Sequence, residues 1–489
     1  YARINVAKIK RIEILNGASS ALYGTNAIGG VINIITDDVK NAINVSSDTR
    51  YASKGRFTQS VNIDVNTGKF GSYTSYRRQQ AEGWQLNPYE ENSKTHELEE
   101  TGKVASTGFY ANTVNQKFTF DATDKLSFYA RGGYYDNKTR RPYEAYDYNI
   151  LHETFNYGIG AQYMINKGNY ITADCYADHF SSSYCFFKDN KTYNGKAGEE
   201  QVRKRTRNHN LSIKGIFKLG NRHKLSVGTE YIVDVLKSQT DNIAKEDAYT
   251  LALFAQDEIK LLRNLQALIG VRYIYHENFK NHATPNVALM YKPGKFNFRA
   301  SYAAGFRTPT LSELYATDIA KKNDRLTIGN LDLKPEKNNY FSLSAEYVHE
   351  RFSVSVNAFY NNIRDMIDYN TIATGDKAME QYGHKEVRQR DNIAEAKVHG
   401  INVSANAYLG AGFNLSGGYT HLNTQDVELE QPIDKSIKNA YNINAQWAHS
   451  WKIYRLNINL NGRFNSKRFS KSYGYAPEYQ LWDLNTRHS

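Results

Sequence analysis

The stretch Leu456-Asn457-Ile458-Asn459-Leu460-Asn461-Gly462-Arg463-Phe464 alternates apolar and polar side chains with only a glycine intervening. Successive side chains of a β-strand point to opposite faces, so these residues predict a strand with one apolar and one polar face. The same period of two recurs from about residue 42 onward. Leu126, Phe128 and Ala130 alternate with Ser127, Tyr129 and Arg131; Phe341, Leu343 and Ala345 with Ser342, Ser344 and Glu346; Phe352, Val354, Val356 and Ala358 with Ser353, Ser355 and Asn357. Composition agrees: 38 Tyr and 22 Phe against 8 Pro and 4 Met in 489 residues favour strands over helices.

Alternation alone does not separate a soluble sandwich from a membrane barrel, so the connections decide. The pattern predicts about 20 strands, at 42–50, 56–67, 69–81, 114–122, 124–138, 153–166, 168–184, 205–219, 221–239, 246–261, 263–279, 283–293, 295–305, 337–350, 351–366, 394–408, 411–427, 436–449, 451–467 and 478–488. Many exceed the five or six residues usual in globular sheets. Turns such as Thr67-Gly68-Lys69, Asn166-Lys167-Gly168 and Gly220-Asn221 take turns with long polar loops at 82–113, 139–152, 185–204, 306–336 and 367–393. Short turns on one rim and long loops on the other are what an outer-membrane barrel needs. A mean hydropathy of −0.66 and no apolar run of 18 residues exclude a helical membrane protein but not a barrel. Lipid cannot satisfy an open sheet edge, so such a sheet must close on itself, and a lumen this wide needs a plug if it is not to leak.

The formal charge of +12 favours anionic partners such as nucleic acid, lipid phosphates or acidic ligands. The densest basic run, Arg203-Lys204-Arg205-Thr206-Arg207, reads first as a solvated loop end and only second as a binding element. Cys175 and Cys185 lie ten residues apart in a Tyr-rich segment and suit either a hairpin disulfide or two free thiols.

The N-terminus carries a different signature. Arg11-Ile12-Glu13-Ile14-Leu15, Gly17, Ser20-Ala21-Leu22-Tyr23-Gly24 and Ala27-Ile28-Gly29-Gly30-Val31-Ile32-Asn33-Ile34-Ile35-Thr36 place two β-prone runs around small residues. Gly24, Gly29 and Gly30 permit positive φ or close backbone approach, and the charges of Arg11 and Glu13 share one face. This stretch resembles the end of the plug domain of TonB-dependent outer-membrane receptors, departing from it at Asn16 (usually Arg) and Ala18 (often Pro). The resemblance implies that the plug motif is carried by Arg11, Glu13, Gly17, Tyr23, Gly24, Gly29, Gly30 and Asn33, with the charged face turned to the barrel wall.

A second resemblance lies in the loop at 306–336. Gly305-Phe306-Arg307-Thr308-Pro309 through Tyr315, and Gly329-Asn330-Leu331-Asp332-Leu333-Lys334-Pro335-Glu336, look like paired loop motifs of receptors for haem, cobalamin and some siderophores. Phe306, Arg307, Pro309, Asn330, Leu333, Pro335 and Glu336 match; Thr308, Leu331 and Asp332 depart. The fold so implied is an all-β, 22-stranded antiparallel transmembrane β-barrel, about 20 strands of it present, with the C-terminal remnant of an N-terminal plug. The expected division is plug at 1–38 and barrel at 39–489, with the last strands missing and the chain a fragment cut at both ends.

The implied function is TonB-dependent active uptake of a scarce metal complex across the bacterial outer membrane, by a receptor that is not an enzyme; a passive porin-like channel is the alternative. No resident cofactor or metal site is expected: the thirteen histidines are scattered, without a His-x-x-x-His pair. Expected partners are the TonB-ExbB-ExbD complex, the ligand, and outer-membrane lipid and lipopolysaccharide, with a surface lipoprotein as a further candidate and nucleic acid not expected. Ligand-binding candidates are Arg140, Arg141, Tyr143, Tyr146, Tyr148 and His152 in one loop, Arg307 and Tyr315 in the second, and Tyr382 and His384 in the third. Arginine and tyrosine together can stack on a planar ring and pair with carboxylates. The span Thr310–Ile328 has no His, although Tyr315 could ligate iron, so haem stands level with cobalamin or a ferric siderophore.

Overall fold

In the computed structural model, exposure alternates along the strands with the apolar residues outside. Over Phe352–Tyr360, Phe352, Val354 and Val356 are exposed while Ser353, Ser355 and Asn357 are half-buried. Ile159 and Leu343 are each 64% exposed, whereas Ser60, Asn62, Asp64, Ser75, Thr113 and Thr154 are buried. A soluble sandwich would bury the first set. An apolar outer row over a polar inner row is stable only in a hydrocarbon solvent.

The structure describes residues 9–16, 30–36, 42–85, 89–92, 95, 97–100, 106–142, 146–320, 324–471 and 474–489. One sheet orders 22 strands into a barrel. Twenty are antiparallel staves, from Ile43–Ala52 to Tyr479–His488, and each corresponds to a strand predicted from the alternation. The other two, Thr317–Ala320 and Arg325–Ile328, belong to a single loop whose flanking staves, Phe296–Arg307 and Glu336–Val348, pair directly. The strand order brings Tyr479–His488 next to Ile43–Ala52. Residue-by-residue ladders join every other pair of neighbouring staves; at this seam none is registered among the described residues, and all of Tyr479–His488 is exposed.

Stave ends differ from the sequence reading mainly on the long-loop rim. The expected loop at 367–393 is instead a continuation of the staves Phe352–Thr374 and Glu386–Gly410, tipped by a helix, Gly375–Tyr382. Likewise, staves reach Arg140 and begin again at Tyr148 and Glu200. At 23 and 25 residues, the longest pair far exceeds the roughly 9–11 residues that span a bilayer. Above the membrane both faces meet water, so hydropathy alternation disappears while the ladder hydrogen bonds continue. On the other rim, Gly68 and Gly168 adopt φ of 89° and 96° in tight turns that a side chain would strain.

Ile9–Asn16 and Gly30–Thr36 form a separate two-stranded antiparallel sheet with Glu13 opposite Asn33. Arg11 Nε donates to Glu13 Oε1 (2.6 Å), and Asn33 Nδ2 donates to Glu13 Oε2 (2.9 Å). The carboxylate expected to face the barrel wall is thus satisfied within its own sheet. Gly17, Tyr23, Gly24 and Gly29 lie outside the described residues. Cys175 and Cys185 occupy one strand, Asn169–Phe186, and both thiols are free. Ten residues of strand separate them by roughly 33 Å, far beyond disulfide reach, which corrects the hairpin alternative.

Candidate functional site

The loop between Phe296–Arg307 and Glu336–Val348 is organised by a single guanidinium. Arg307 Nε and Nη2 donate to Glu336 Oε2 and Oε1 (2.8 and 2.5 Å), while Nη1 and Nη2 donate to Glu313 Oε2 and Oε1 (2.9 and 3.3 Å). Glu336 Oε1 also accepts from the Ile367 backbone N–H (3.0 Å). Two bidentate pairs engage four of the five N–H donors of the guanidinium. Hydrogen bonding to Glu336, reinforced by Glu313, outweighs burial and raises the Arg307 pKa. For Glu313, burial pushes the pKa up, but Arg307 and the Thr310 N–H overcome it and hold the carboxyl below its ordinary value of 4.5.

Thr310 caps the short helix α1 (Leu311–Tyr315) reciprocally: its Oγ1 accepts from the Glu313 N–H, and its own N–H donates to Glu313 Oε2. Leu314, Leu333 and Ile367 form a buried knot with Phe279 and Tyr315 packed against it. Gly329 lies under α1, where an added Cβ would stand 2.4 Å from the Leu314 carbonyl oxygen. Phe306 is 2% exposed and stacks on His282 at 4.0 Å; Pro309 and Pro335 are buried, and Asn330 Oδ1 accepts from the Asp332 N–H. The matched loop motif is therefore a clamp, and the Arg307 and Tyr315 side chains are engaged in it.

The clamp presents a polar pocket of about 160 Å³ between α1, the loop strands Thr317–Ala320 and Arg325–Ile328, and the long hairpin. Arg325, Arg388, Arg390 and Tyr369 line it opposite Asp241 and Asp318. The Arg390 guanidinium sits 3.5 Å over the Tyr369 ring. Arg388 pairs with Glu386 (2.5 Å), and Asp241 pairs with Lys204 (3.2 Å). Arg325 Nε is buried without a hydrogen-bond partner among the described residues. Burial, with the Asp241 charge adding to it, raises the Asp318 pKa. His384 is drawn away to Asp324 (3.0 Å), and Tyr382 packs against the core of Ala373, Ala378 and Val387.

A second cluster rises on the same rim. The Arg141 guanidinium lies 3.9 Å from the Tyr146 ring and 4.9 Å from Tyr148. Tyr148 stacks on Tyr184 at 4.1 Å with Tyr193 edge-on, and Arg203 covers Tyr184 and Tyr193 at 5.3 and 5.0 Å. Arg141 Nη1 and Arg203 Nε are buried without partners among the described residues. Arg140 lies 5.9 Å from the Tyr110 ring, His152 stacks on Phe180 at 5.6 Å, and Tyr143 lies outside the described residues.

Sequence reasoning named Arg141, Tyr146 and Tyr148 but missed Tyr184, Tyr193, Arg203, Arg325, Tyr369 and Arg390. A signal existed for Arg203, in the basic run, and for Tyr184, in the Tyr-rich segment; the remainder converge only through the sheet register. Among the described residues no group of three His, Cys, Asp or Glu side chains could hold a metal. The rim can instead hold an anionic, planar ligand by charge and stacking.

Comparison with known proteins was consistent with these observations. The family model described as TonB dependent receptor-like, beta-barrel, matches residues 54–489, and that of the TonB-dependent receptor plug domain matches residues 1–31. Among solved structures, the ferric enterobactin receptor of Pseudomonas aeruginosa is similar with a TM-score of 0.80 and 16% identity, over 99% of this chain and 78% of that one. The siderophore receptor PirA of Acinetobacter baumannii gives 0.77 and 16%, over 99% and 79%. The FrpB iron transporter of Neisseria meningitidis gives 0.78 and 14%, over 99% and 80%. At such identities the likeness establishes the fold.

Proposed function

Because this chain belongs to the TonB-dependent receptor family, we propose that it imports a ferric complex of an anionic, aromatic chelator across the bacterial outer membrane. The observation that carries this reading is the pairing of arginines with tyrosines in two clusters on the long-loop rim, around the Arg325–Arg388–Arg390 pocket and the Arg141–Arg203 stack. Guanidinium groups match carboxylate or catecholate oxygens bidentately, and tyrosine rings stack on aryl groups. Iron is cargo, enclosed by its chelator, so the protein supplies recognition and no bond is made or broken.

In this reading ligand binds at the outer rim, the TonB-ExbB-ExbD complex supplies energy from the periplasm, and plug displacement opens the path. The plug match distinguishes this from a porin, whose lumen is permanently open. The test is growth of a deletion strain, complemented with this protein, on ferric catecholate, ferric hydroxamate or haem as separate supplements under iron starvation, and on cobalamin in a cobalamin-requiring background. Growth on an anionic ferric chelate that depends on TonB supports the proposal. TonB-independent entry, or rescue by cobalamin alone, overturns it.

A further inference from the structure

Two loops build one sheet above the membrane. The loop strands Thr317–Ala320 and Arg325–Ile328 pair with each other, and the second lies parallel against residues 386–389 of the long hairpin, whose other arm, Phe352–Thr374, continues the sheet. Side chains alternate between its faces. Leu326 and Ile328 turn to one side, where they pack with Ala373, Val387 and, from the helix Gly375–Tyr382, Ala378. The other face carries Asp318 opposite Thr327, and Thr327 opposite Arg388, with Arg325 and Arg390 on the flanking rows. This polar face is the floor of the pocket under α1.

Size limits what the pocket holds. Sites that enclose a whole ligand run to roughly 300–1,000 Å³. A volume of about 160 Å³ has room for roughly five waters at their share of the liquid, so it takes one arm of a ferric chelate and not the iron centre.

Charge limits it further. Arg325, Arg388 and Arg390 line the pocket with Asp241 and Asp318; behind them Glu386 pairs with Arg388, and Lys204 with Asp241. Four cations thus meet three carboxylates. Ser312, which donates to Asp241 (3.2 Å), and the Tyr369 hydroxyl, which accepts from Arg390 (2.6 Å), are neutral and leave those charges in place. An arm carrying only negative charge would stand against two lining carboxylates, and in a half-buried site that repulsion is weakly screened.

Two opposite charges on the floor lack a partner of their own. Arg325 and Asp318 lie on neighbouring strands, near enough for the guanidinium to act on the carboxyl, yet no ion pair joins them among the described residues. Arg325 Nε is buried without an acceptor, and Asp318 is engaged by the Ile319 backbone N–H. A charged donor without an acceptor and a half-buried carboxylate without a cation each cost free energy. A ligand with a carboxylate for the first and an ammonium for the second relieves both together.

We infer that this pocket binds an aminocarboxylate, with its carboxylate on Arg325 and Arg390 and its ammonium on Asp318, presented as one arm of the imported chelator. The inference rests on the import reading for the origin of the arm and narrows its chemistry: the chelate is anionic as a whole, and the arm is zwitterionic.

The test is isothermal titration of the detergent-purified full-length protein with the ferric complex of a dihydroxybenzoyl group joined to the side-chain amine of lysine, which leaves the α-amine and α-carboxylate free. Two further probes are capped at one group each, the α-amine by acetylation or the α-carboxylate as its amide. The uncapped complex should bind roughly tenfold to a hundredfold more tightly than either. Acetylation makes the complex more negative, so a pocket that attracts anions alone would prefer the acetylated probe; that order overturns the inference. In Asp318→Asn the preference for the free amine should disappear, and in Arg325→Gln the preference for the acid over the amide should shrink. Should a variant lose the heat-modifiable gel mobility of a folded barrel, the wild-type order of the three probes decides. Equal binding of all three, or binding of none, overturns the inference. So does equally tight binding of lysine acetylated on its side-chain amine, which would make a free amino acid the ligand. Growth is not read here: failure leaves the import proposal standing, and TonB-independent entry overturns that proposal without altering the order of these affinities.

Discussion

Arg307 and Glu336, 29 residues apart in sequence, face each other at the outer ends of two paired staves and close the loop between them through two hydrogen bonds, at 2.8 and 2.5 Å. Both side chains are mostly buried, at 21% and 10% exposure. Removing one partner strands the other. Arg307→Ala leaves two carboxylates uncompensated and should cost about 3–5 kcal/mol locally. Limited proteolysis should then cut within residues 308–335 while the barrel stays resistant; an uncut loop would refute this.

The same clamp predicts an acid response. The folded pKa of Glu313 lies below its ordinary value of 4.5, so its contribution is complete above that value and is lost as pH falls through the folded pKa. The loop should therefore resist protease at neutral pH and open progressively below about pH 4.5. Glu313→Gln should be cleaved at every pH, with the pH dependence flattened.

Gly329 is required by close approach. A Cβ there would meet the Leu314 carbonyl oxygen at 2.4 Å, and a carbonyl in a capped helix cannot yield as a flexible side chain would. Gly329→Ala should cost about 1–3 kcal/mol by overpacking and reduce ligand binding without reducing the amount of folded barrel. Heat-modifiable gel mobility and ligand titration separate the two effects.

The Arg388→Ala/Arg390→Ala variant should weaken binding of an anionic ferric chelate by about 1.5–3 kcal/mol for each charged hydrogen bond lost, with barrel stability unchanged. Isothermal titration of wild type and variant against the chelate that supports growth measures this. An unchanged affinity would place recognition elsewhere on the rim.

The outward row supplies a control for the membrane orientation. Ile159→Arg puts a charge on the lipid face and should destabilise the barrel by roughly 2–4 kcal/mol if near the bilayer midplane. Gln162→Arg, at a half-buried position on the inner face of the same stave, should spare lipid contact and cost less than the lipid-facing change. Denaturant titration in lipid vesicles reads both; reversal of the order would invert the assigned faces.

The sequence was most legible where the environment acts on one residue at a time. Hydrocarbon on one side and a polar lumen on the other select each side chain by its own face, so alternation such as Leu456–Phe464 located all twenty staves without knowledge of their neighbours. The loop motif was legible too, as residues, but its role was not. Arg307 could be named a ligand group until Glu313 and Glu336 were seen to occupy it.

By itself, then, the sequence determined the strand faces, the alternation of short and long connections and the plug signature, all properties of local chain chemistry. Tertiary structure alone decided that Arg325, Arg388 and Arg390 share a pocket, that Arg141 and Arg203 close on the same tyrosines, and that Arg203 and Arg205 part to different surfaces. These depend on strand register and on hairpins continuing above the membrane. There hydrogen bonding persists but hydropathy no longer alternates, so the one-dimensional pattern carries no record of which side chains meet.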